Sequence, residues 1–301
     1  MILQNHGSMR SESLLSMILV TGAGGSNGSE LIKQLSTTGA SVRAMVRKRR
    51  DLENDALPGV EFVTADFDDL ASVNRALEGV QSAFLVTNSS ERTEAQQLRF
   101  VETARAAGLR HIVYLSQLHA TKDSPVRFLR YHAVVEEAIS ASGMTFTNLR
   151  PNLYMQGLLG FRSSIISEGR FFAAAGDSRV SIVDVRDIAA VAATALTESG
   201  HEGKTYDVTG PEALTHAEMA SQLSETLGKR ISFVDVSEAA MRDALLSLGM
   251  PEWQVEGLIE DYAHYRRGEA SGISTAVEDV TSRRPRSFLT FTRDYKQAFS
   301  Q

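Results

Sequence analysis

The chain has 301 residues, of which 43% are hydrophobic and 23% are charged, as is usual for a globular protein with a buried core. It has no cysteine, which excludes disulfides, thiol nucleophiles, iron–sulfur clusters and cysteine-ligated zinc. The formal net charge of −6 disfavours nucleic acid and anionic membranes as partners. No segment has the composition of a membrane span or a targeting signal, so we expect a cytoplasmic protein.

The first 16 residues are polar and mixed in composition, and they precede an apolar segment that starts at Met17. Two interpretations fit them. They are a cloning remnant, since His6-Gly7-Ser8-Met9 resembles a vector sequence, or they are an overlong start and Met17 is the natural first residue. In both cases we expect residues 1–16 to be disordered or loosely attached, outside the folded domains.

The first half of the chain alternates short apolar segments with amphipathic ones. The predicted strands are Met17–Thr21, Ser41–Val46, Val60–Ala65, Gln81–Val86, His111–Ser116 and Met144–Leu149, and the predicted helices are Ser29–Thr37, Leu70–Leu77, Ala95–Ala107 and Phe128–Ala141. Strands and helices in this alternation form βαβ units. We therefore predict an α/β fold, a Rossmann-type doubly wound parallel sheet over residues 17–150 with right-handed crossovers.

The pattern changes after Pro151, where residues 152–182 show no clear period. Beyond them, we predict strands at Lys204–Val208 and Ile231–Val236, helices at Asp184–Thr197, Thr215–Leu227, Ser237–Leu248 and Pro251–Arg267, and a loop and short helix in Arg283–Ser300. We assign residues 151–182 and 211–301 to a smaller α/β substrate-binding domain. Residues from about 183 to 210 are expected to complete the Rossmann domain.

The first predicted strand ends in a glycine-rich turn that leads into a helix. It reads Thr21-Gly22-Ala23-Gly24-Gly25-Ser26-Asn27-Gly28, with glycines three residues apart at 22, 25 and 28. Glycine permits a tight turn and a close approach to a pyrophosphate, and the helix N-terminus offers N–H groups to it. In this context the pattern predicts cofactor contacts from Thr21, Gly22, Gly24, Gly25, Ser26, Asn27 and Gly28. A glycine-rich loop without a ligand is the alternative.

The end of the second strand indicates which dinucleotide would bind. It runs into Arg47-Lys48-Arg49-Arg50, and the first acid after it is Asp51. NAD-preferring enzymes place an acid here on the ribose hydroxyls, whereas an arginine pairs with a 2′-phosphate. We therefore predict NADP(H) rather than NAD(H), with Arg47 on the phosphate. A solvated basic run is the alternative, and we favour it for Arg49 and Arg50.

Further candidates follow the later strands, at the carboxyl edge of the sheet, where ligands bind. Asp66 and Phe67 end the third strand, Thr87 and Asn88 end the fourth, and Ser116 ends the fifth. We expect all five near the cofactor. Phe67 would stack near adenine or belong to the core.

The sequence lacks the pair of a tyrosine and a lysine four residues later that the commonest chemistry on this scaffold uses. The residues four positions after the seven tyrosines are Leu118, Val135, Leu158, Gly210, Arg266, Glu269 and Phe299. The equivalent helix carries His132 and Glu136, one turn apart. They form a structural pair, or His132 contacts the cofactor. The histidines are dispersed, so we predict no metal site.

The segment after the sixth strand is expected at the nicotinamide end of the site. There Asn152 could bind a carboxamide or a substrate carbonyl, since its side chain both donates and accepts hydrogen bonds, and Tyr154 could form a wall. A structural role fits both equally well. We expect the substrate pocket between residues 87–88, 116–119 and 151–175, with an apolar lining of Leu118, Leu153, Tyr154, Leu158, Phe161 and Phe171. An inter-domain core is the alternative.

Taken together, these segments resemble the NmrA-like branch of the atypical short-chain dehydrogenases, and within it the bacterial NADPH quinone oxidoreductases of the second type and triphenylmethane reductase. The segments that carry the resemblance are the glycine turn, Val42–Arg47, Ala106–Val113, His132-x-x-x-Glu136, Thr145–Arg150, Asp184-x-x-Asp187 and Ser199–Tyr206. It covers about residues 17–270. One departure is Pro151, because the related enzymes have an asparagine directly after the Leu-Arg pair and this chain has it at Asn152.

The resemblance implies an NADP-binding Rossmann domain closed by a small C-terminal domain. It further implies direct hydride transfer from NADPH to a quinone-like or other conjugated aromatic acceptor, without a clear acid residue, which agrees with the missing dyad. The alternative is a non-catalytic NADP sensor of the NmrA type that acts through a protein partner. The sequence does not reveal the oligomeric state.

Overall fold

The computed structural model describes residues 16–48 and 57–300. The predicted leader, apart from Ser16, lies outside the described residues, and so do Arg49, Arg50 and Asp51. The strands are β1 (Met17–Val20), β2 (Val42–Val46), β3 (Val60–Thr64), β4 (Val80–Leu85), β5 (His111–Leu115), β6 (Thr145–Pro151), β7 (Arg170–Ala173), β8 (Lys204–Val208) and β9 (Ser232–Asp235).

The helices of the described ranges are α1 (Ser26–Thr38), α2 (Leu70–Leu77), α3 (Thr93–Ala106), α4 (Arg127–Ala141), α5 (Arg162–Glu168), α6 (Val185–Thr197), α7 (His216–Leu227), α8 (Glu238–Ser247), α9 (Glu252–Arg266), α10 (Ala276–Thr281) and α11 (Phe288–Asp294). Two short 3-10 helices cover Met155–Phe161 and Lys296–Phe299. Among the described residues, none of the helices combines the length and the apolar character that crossing a bilayer requires.

Seven strands form one parallel sheet in the order β3-β2-β1-β4-β5-β6-β8. The order reverses beside β1, as in doubly wound nucleotide-binding folds, and this confirms the predicted Rossmann-type α/β class. The strand at 204–208 lies at one edge of this sheet, paired with β6.

Helices cover both faces of the large sheet because successive strand residues point to opposite sides. On β1, Ile18 and Val20 face the core that α1 and α6 cover, whereas Leu19 faces the core that α2, α3 and α4 cover. Leu31 of α1 and Phe100 of α3 are buried in these two cores. Strand β1 is therefore apolar on both sides, which explains its continuous apolar run in the sequence.

The segment without a clear period folds into the small domain. Residues 152–182 contain the first 3-10 helix, α5 and β7, none of which the sequence predicted. Strand β7 pairs with β9, with Phe171 opposite Phe233. Leu158 and Phe171 are buried in this domain's own core, and Leu153 and Phe161 pack against it. The structure favours the alternative of an ordinary core for Leu158 and Phe171, and the pocket lining by Leu153 and Phe161 stays a prediction.

Two acids on α6 connect the Rossmann domain to the rest of the chain. Asp184 caps α6 through the N–H of Arg186, forms an ion pair with the Arg186 side chain, and accepts a hydrogen bond from Gln156. Asp187, three residues later, binds Arg286. Because both carboxylates are almost fully buried, each needs such a partner.

The contact between α9 and α4 predicts a packing defect. A Cβ added at Gly257 of α9 would lie 2.2 Å from the ring of Phe128. We expect Gly257→Ala to lower the free energy of unfolding by about 1–3 kcal/mol through overpacking. Gly160→Ala is the matched control, because no atom lies within 4 Å of its added Cβ. Urea unfolding measures both, and an unchanged midpoint for Gly257→Ala would contradict the packing described here.

Candidate functional site

The glycine turn is held by close backbone contacts between β1 and α1. Gly22 has a φ of +60°, and a Cβ there would lie 2.7 Å from a methyl group of Val86. A Cβ at Gly28 would lie 2.3 Å from the carbonyl oxygen of Gly22. The N–H of Gly25 donates to that same oxygen at 2.9 Å. Both positions therefore need glycine for the turn itself to form.

The outward side of the turn is open. No atom lies within 4 Å of a Cβ added at Gly24, and Gly25 and Ser26 are exposed. Helix α1 has no acidic residue in its first turn and no side-chain cap. The Oδ1 atom of Asn27 is buried, and it has no hydrogen-bond partner among the described residues. A helix N-terminus of this kind binds a phosphate, and a ligand group could satisfy Asn27.

Thr21 differs from its neighbours because its hydroxyl is used inside the protein. It is fully buried, it donates to the carbonyl of Val86 at 2.9 Å, and it accepts from the N–H of Val86 at 2.8 Å. The side chain therefore joins β1 to β4. The structure gives its hydroxyl a structural role, and a cofactor contact of Thr21 stays a prediction.

The ends of β2 and β3 flank this turn. Arg47 and Lys48 follow β2 and are exposed. Asp66 follows β3, and its Oδ1 accepts from the N–H of Asp68 at 2.9 Å. Phe67 contacts Phe100, with ring centroids 5.6 Å apart, so part of its ring belongs to the core. Both basic side chains are thus exposed at the end of β2, whereas the Asp66 carboxylate stabilises the turn after β3.

A buried chain of hydrogen bonds leads away from Thr87 at the end of β4. The amide nitrogen of Gln97 donates to the Thr87 hydroxyl at 2.9 Å, and the hydroxyl of Tyr114 donates to the Gln97 carbonyl at 2.8 Å. The Nδ1 atom of His132 lies 2.6 Å from the Tyr114 oxygen. Burial lowers the pKa of His132 to about 3, so its imidazole is neutral and structural. Asn88, next to Thr87, is exposed.

Glu136 does not pair with His132, which corrects the predicted structural pair. Its carboxylate binds the guanidinium of Arg150 through two hydrogen bonds, at 2.9 and 2.5 Å. The hydroxyl of Ser116 donates to the same carboxylate at 2.5 Å. This pairing raises the pKa of Arg150. His132 and Glu136 share a helix face, but His132 contacts Tyr114 of β5 and Glu136 binds Arg150 of β6.

Asn152 is also used within the fold, since it is buried and its amide groups have partners. Its nitrogen donates to Ser181 at 2.9 Å and to the carbonyl of Ala270 at 2.8 Å, and its Oδ1 accepts from the N–H of Leu153 at 2.9 Å. The structure thus favours the structural role for Asn152 over binding of a carboxamide. These contacts hold the segment after β6 against the chain that follows α9.

Tyr154 lies between the two domains. Its side chain reaches Asn27 of the glycine turn, and a backbone bridge joins it to Val183. Burial raises the pKa of Tyr154 to about 12, and the hydrogen bond from Asn27 acts in the opposite direction. The ring therefore stays a neutral phenol beside the turn.

Leu118, another predicted wall residue, is buried, and its N–H donates to the carbonyl of Pro151 at 2.9 Å.

Helix α9 closes the opposite side of the site, a role that the sequence did not indicate. Asp261 of α9 accepts hydrogen bonds from Gln117, the residue after Ser116. A cavity of 310 Å³ lies between the segment after β4 and the starts of α4 and α9. Its lining residues are Ser90, Glu91, Glu94, Ala95, Arg127, Arg130, Tyr131 and Trp253.

The described residues contain no cluster of His, Asp and Glu that could hold a metal.

A family model described as the NmrA-like family matches residues 15–290. The chain belongs to the NmrA-like family. It is 37% identical over 285 residues to a reductase from Streptomyces griseus subsp. griseus named (4-alkanoyl-5-oxo-2,5-dihydrofuran-3-yl)methyl phosphate reductase, with 94% of this chain and 99% of the relative covered. It is 34% identical over 283 residues to an NAD(P)H azoreductase from Xenophilus azovorans, with 94% and 99% covered.

Among solved structures, the Escherichia coli quinone oxidoreductase QOR2 in complex with NADPH is similar to this NmrA-like chain, with a TM-score of 0.83 and 29% identity. The match covers 93% of this chain and all of the other. The predicted family resemblance is thereby confirmed.

The buried carboxylate of Glu136 gives a test of the site's architecture. We expect Glu136→Gln to lower the free energy of unfolding by about 1–3 kcal/mol, because Arg150 and Ser116 lose their charged partner. Glu137→Gln is the matched control on the same helix, because Glu137 is 62% exposed where it pairs with Lys122 and should change stability by less than about 1 kcal/mol. Equal effects in urea unfolding would contradict the assignment.

Proposed function

We propose that this protein binds NADP(H) at the glycine turn and transfers a hydride from it to a conjugated acceptor. It is an oxidoreductase of the NAD(P)H-dependent quinone, azo and dye reductase type. The observation that carries the proposal is the open N-terminus of α1, where exposed glycines meet the Oδ1 of Asn27, which has no partner among the described residues. A pyrophosphate fits the free N–H groups of this terminus by charge and by hydrogen bonding, and a ribose hydroxyl of the cofactor could donate to the Asn27 oxygen.

The residues that would hold the cofactor come from three parts of the Rossmann domain. The turn from Gly22 to Gly28 offers its backbone to the pyrophosphate, and Arg47 lies at the end of β2, where a 2′-phosphate would be bound. Thr87 and Ser116 follow strands at the carboxyl edge of the same sheet. When bound, NADPH would supply the hydride. The protein would orient the acceptor and exclude water around it.

The names of the relatives support a conjugated acceptor. One relative is named for an azo compound and another for an unsaturated furanone, and both molecules offer a polarised double bond to a hydride. None of the seven tyrosines has a lysine four residues later, so the usual acid of this scaffold has no counterpart at that spacing. The cytoplasmic location and the lack of direct nucleic-acid binding stay predictions.

The proposal is tested by turnover. The purified protein is mixed with NADPH and a panel of quinones, azo dyes and cationic triarylmethane dyes, and the absorbance of NADPH is followed. We expect oxidation of NADPH with at least one acceptor class. Tight binding of NADP without turnover of any acceptor would contradict the reductase and favour the sensor interpretation.

Arg47 tests the choice of cofactor. We expect Arg47→Ala to weaken NADPH binding by about 10- to 100-fold and to leave NADH binding within about 3-fold, because only NADPH carries the 2′-phosphate. The control Lys48→Ala removes an adjacent exposed cation, and it should affect both cofactors by less than about 3-fold. Fluorescence titration measures these affinities. An equal loss for the two cofactors would show that Arg47 does not read the phosphate.

A further inference from the structure

Asp261 is a buried acid at the carboxyl edge of the sheet. It lies on α9 and is 6% exposed. Both of its carboxylate oxygens lie 3.0 Å from the amide nitrogen of Gln117. Because Gln117 follows Ser116 at the end of β5, this contact places the carboxyl beside the edge where the cofactor and the acceptor are expected.

Asp261 has no cationic partner among the described residues, although arginines lie nearby. The guanidinium of Arg127 is bound to the neighbouring acid Glu260 and to the carbonyl of Trp253. Arg130 donates to the carbonyl of Ser124. By contrast, the other buried acids of the site, such as Glu136, each bind an arginine. A buried carboxyl that is left without a cation costs stability, and such costs are found where function requires them.

The groups around Asp261 favour its protonated form. Burial raises the pKa of Asp261 to about 7, the amide of Gln117 opposes this shift, and the charge of Glu260 adds to it. The titratable side chains that face this region from α4, from α9 and from the segment after β5 are Tyr131, Tyr262, His264, Tyr265 and His119. Burial holds the three tyrosines neutral and lowers the pKa of His264, so these four side chains supply no strong positive charge here.

We propose that Asp261 is the proton donor of the reductase, which gives its carboxyl proton to the acceptor as the hydride arrives. This inference rests on the proposed function and deepens it, because the sequence pointed to no acid residue. Gln117 acts as the positioning residue. Its amide nitrogen donates to both oxygens of the carboxyl and holds it at this edge of the sheet, where its proton can pass to an acceptor bound there.

The chemistry balances for an azo acceptor. The hydride supplied by NADPH forms an N–H bond at one nitrogen, and the N=N π bond breaks. The other nitrogen takes the proton from Asp261, so the product is a hydrazine, NADPH is oxidised to NADP⁺, and water reprotonates the carboxylate. A quinone likewise takes one hydride and one proton. A cationic triarylmethane dye takes only the hydride, because its positive charge is cancelled by the hydride itself.

This difference between acceptors allows a selective test with Asp261→Asn. Near pH 6.5, we expect kcat with azo acceptors to fall by about 10²-fold, since general acid catalysis contributes at least this much. With a cationic triarylmethane dye, kcat should change by less than about 3-fold. The matched control is Glu252→Gln, which removes one carboxylate from the exposed first turn of the same helix and should affect neither acceptor.

The variants distinguish the proposal from a merely structural role. An equal loss of kcat with both acceptor classes, or no loss with azo dyes, would overturn the proposal that Asp261 donates the proton. The rate of azo reduction by the unaltered protein should fall as the pH rises above about 7, whereas Asp261→Asn should lose this dependence. NADPH affinity, measured by fluorescence, should be the same in both proteins.

A second readout needs no activity, so it separates failure of this inference from failure of the proposed function. Difference infrared spectra between about pH 5.5 and 8.5 should show a carboxylic-acid C=O band that titrates near pH 7 and that is missing in Asp261→Asn. If the protein turns over no acceptor and this band is present, only the reductase proposal fails. If turnover occurs and the band is missing, Asp261 is not the acid.

Stability provides the last check, because the pKa of Asp261 is higher in the folded chain than in the unfolded chain. The protonated carboxyl favours folding below the folded-state value, and this contribution is lost as the pH rises through about 7. The melting temperature of Asp261→Asn relative to the unaltered protein should therefore be higher at pH 8 than at pH 5.5. A difference that does not change with pH would overturn the raised pKa.

Discussion

The carbonyl oxygen of Gly22 lies 2.3 Å from the point that a Cβ atom of residue 28 would occupy. This close approach allows α1 to begin directly after β1, so the first strand, the turn and the helix form one rigid unit. Helix α1 in turn packs on α6, the helix that carries Asp184 and Asp187. Since these acids bind Gln156 and Arg286, the attachment of the small domain depends on the same contact.

The buried acids of this structure are of two kinds. Some form ion pairs with arginines, and one has no arginine partner among the described residues. Asp184 and Glu136 are each compensated by an arginine, and each holds two segments together. Asp261 is equally buried, but its described partner is the neutral amide of Gln117. A charge in this position is poorly stabilised, so the acid keeps its proton to higher pH. Burial of Asp261 therefore supplies a protonated acid in a site that lacks the usual tyrosine and lysine.

Much of the fold could be predicted because its signals are local. The predicted strands at 41–46 and 111–116 lie within a residue of β2 and β5. Helix α1 begins at Ser26 rather than at Ser29, because its first turn has no apolar residue and is held by Gly25 and the turn before it. The sequence did not predict β7, because its four residues show no alternation of apolar and polar side chains. They form a strand only through pairing with β9 in the folded structure.

The sequence by itself determined the α/β class, the glycine turn and the basic end of β2, because each depends on residues that are neighbours along the chain. The tertiary structure decided the partners of those buried polar groups that bind residues distant in the chain. His132 and Glu136 share a helix face but bind Tyr114 and Arg150, because hydrogen bonds and ion pairs are made with whatever the fold brings within about 3 Å. For the same reason, only the packing of α9 against the end of β5 places Asp261 at the site.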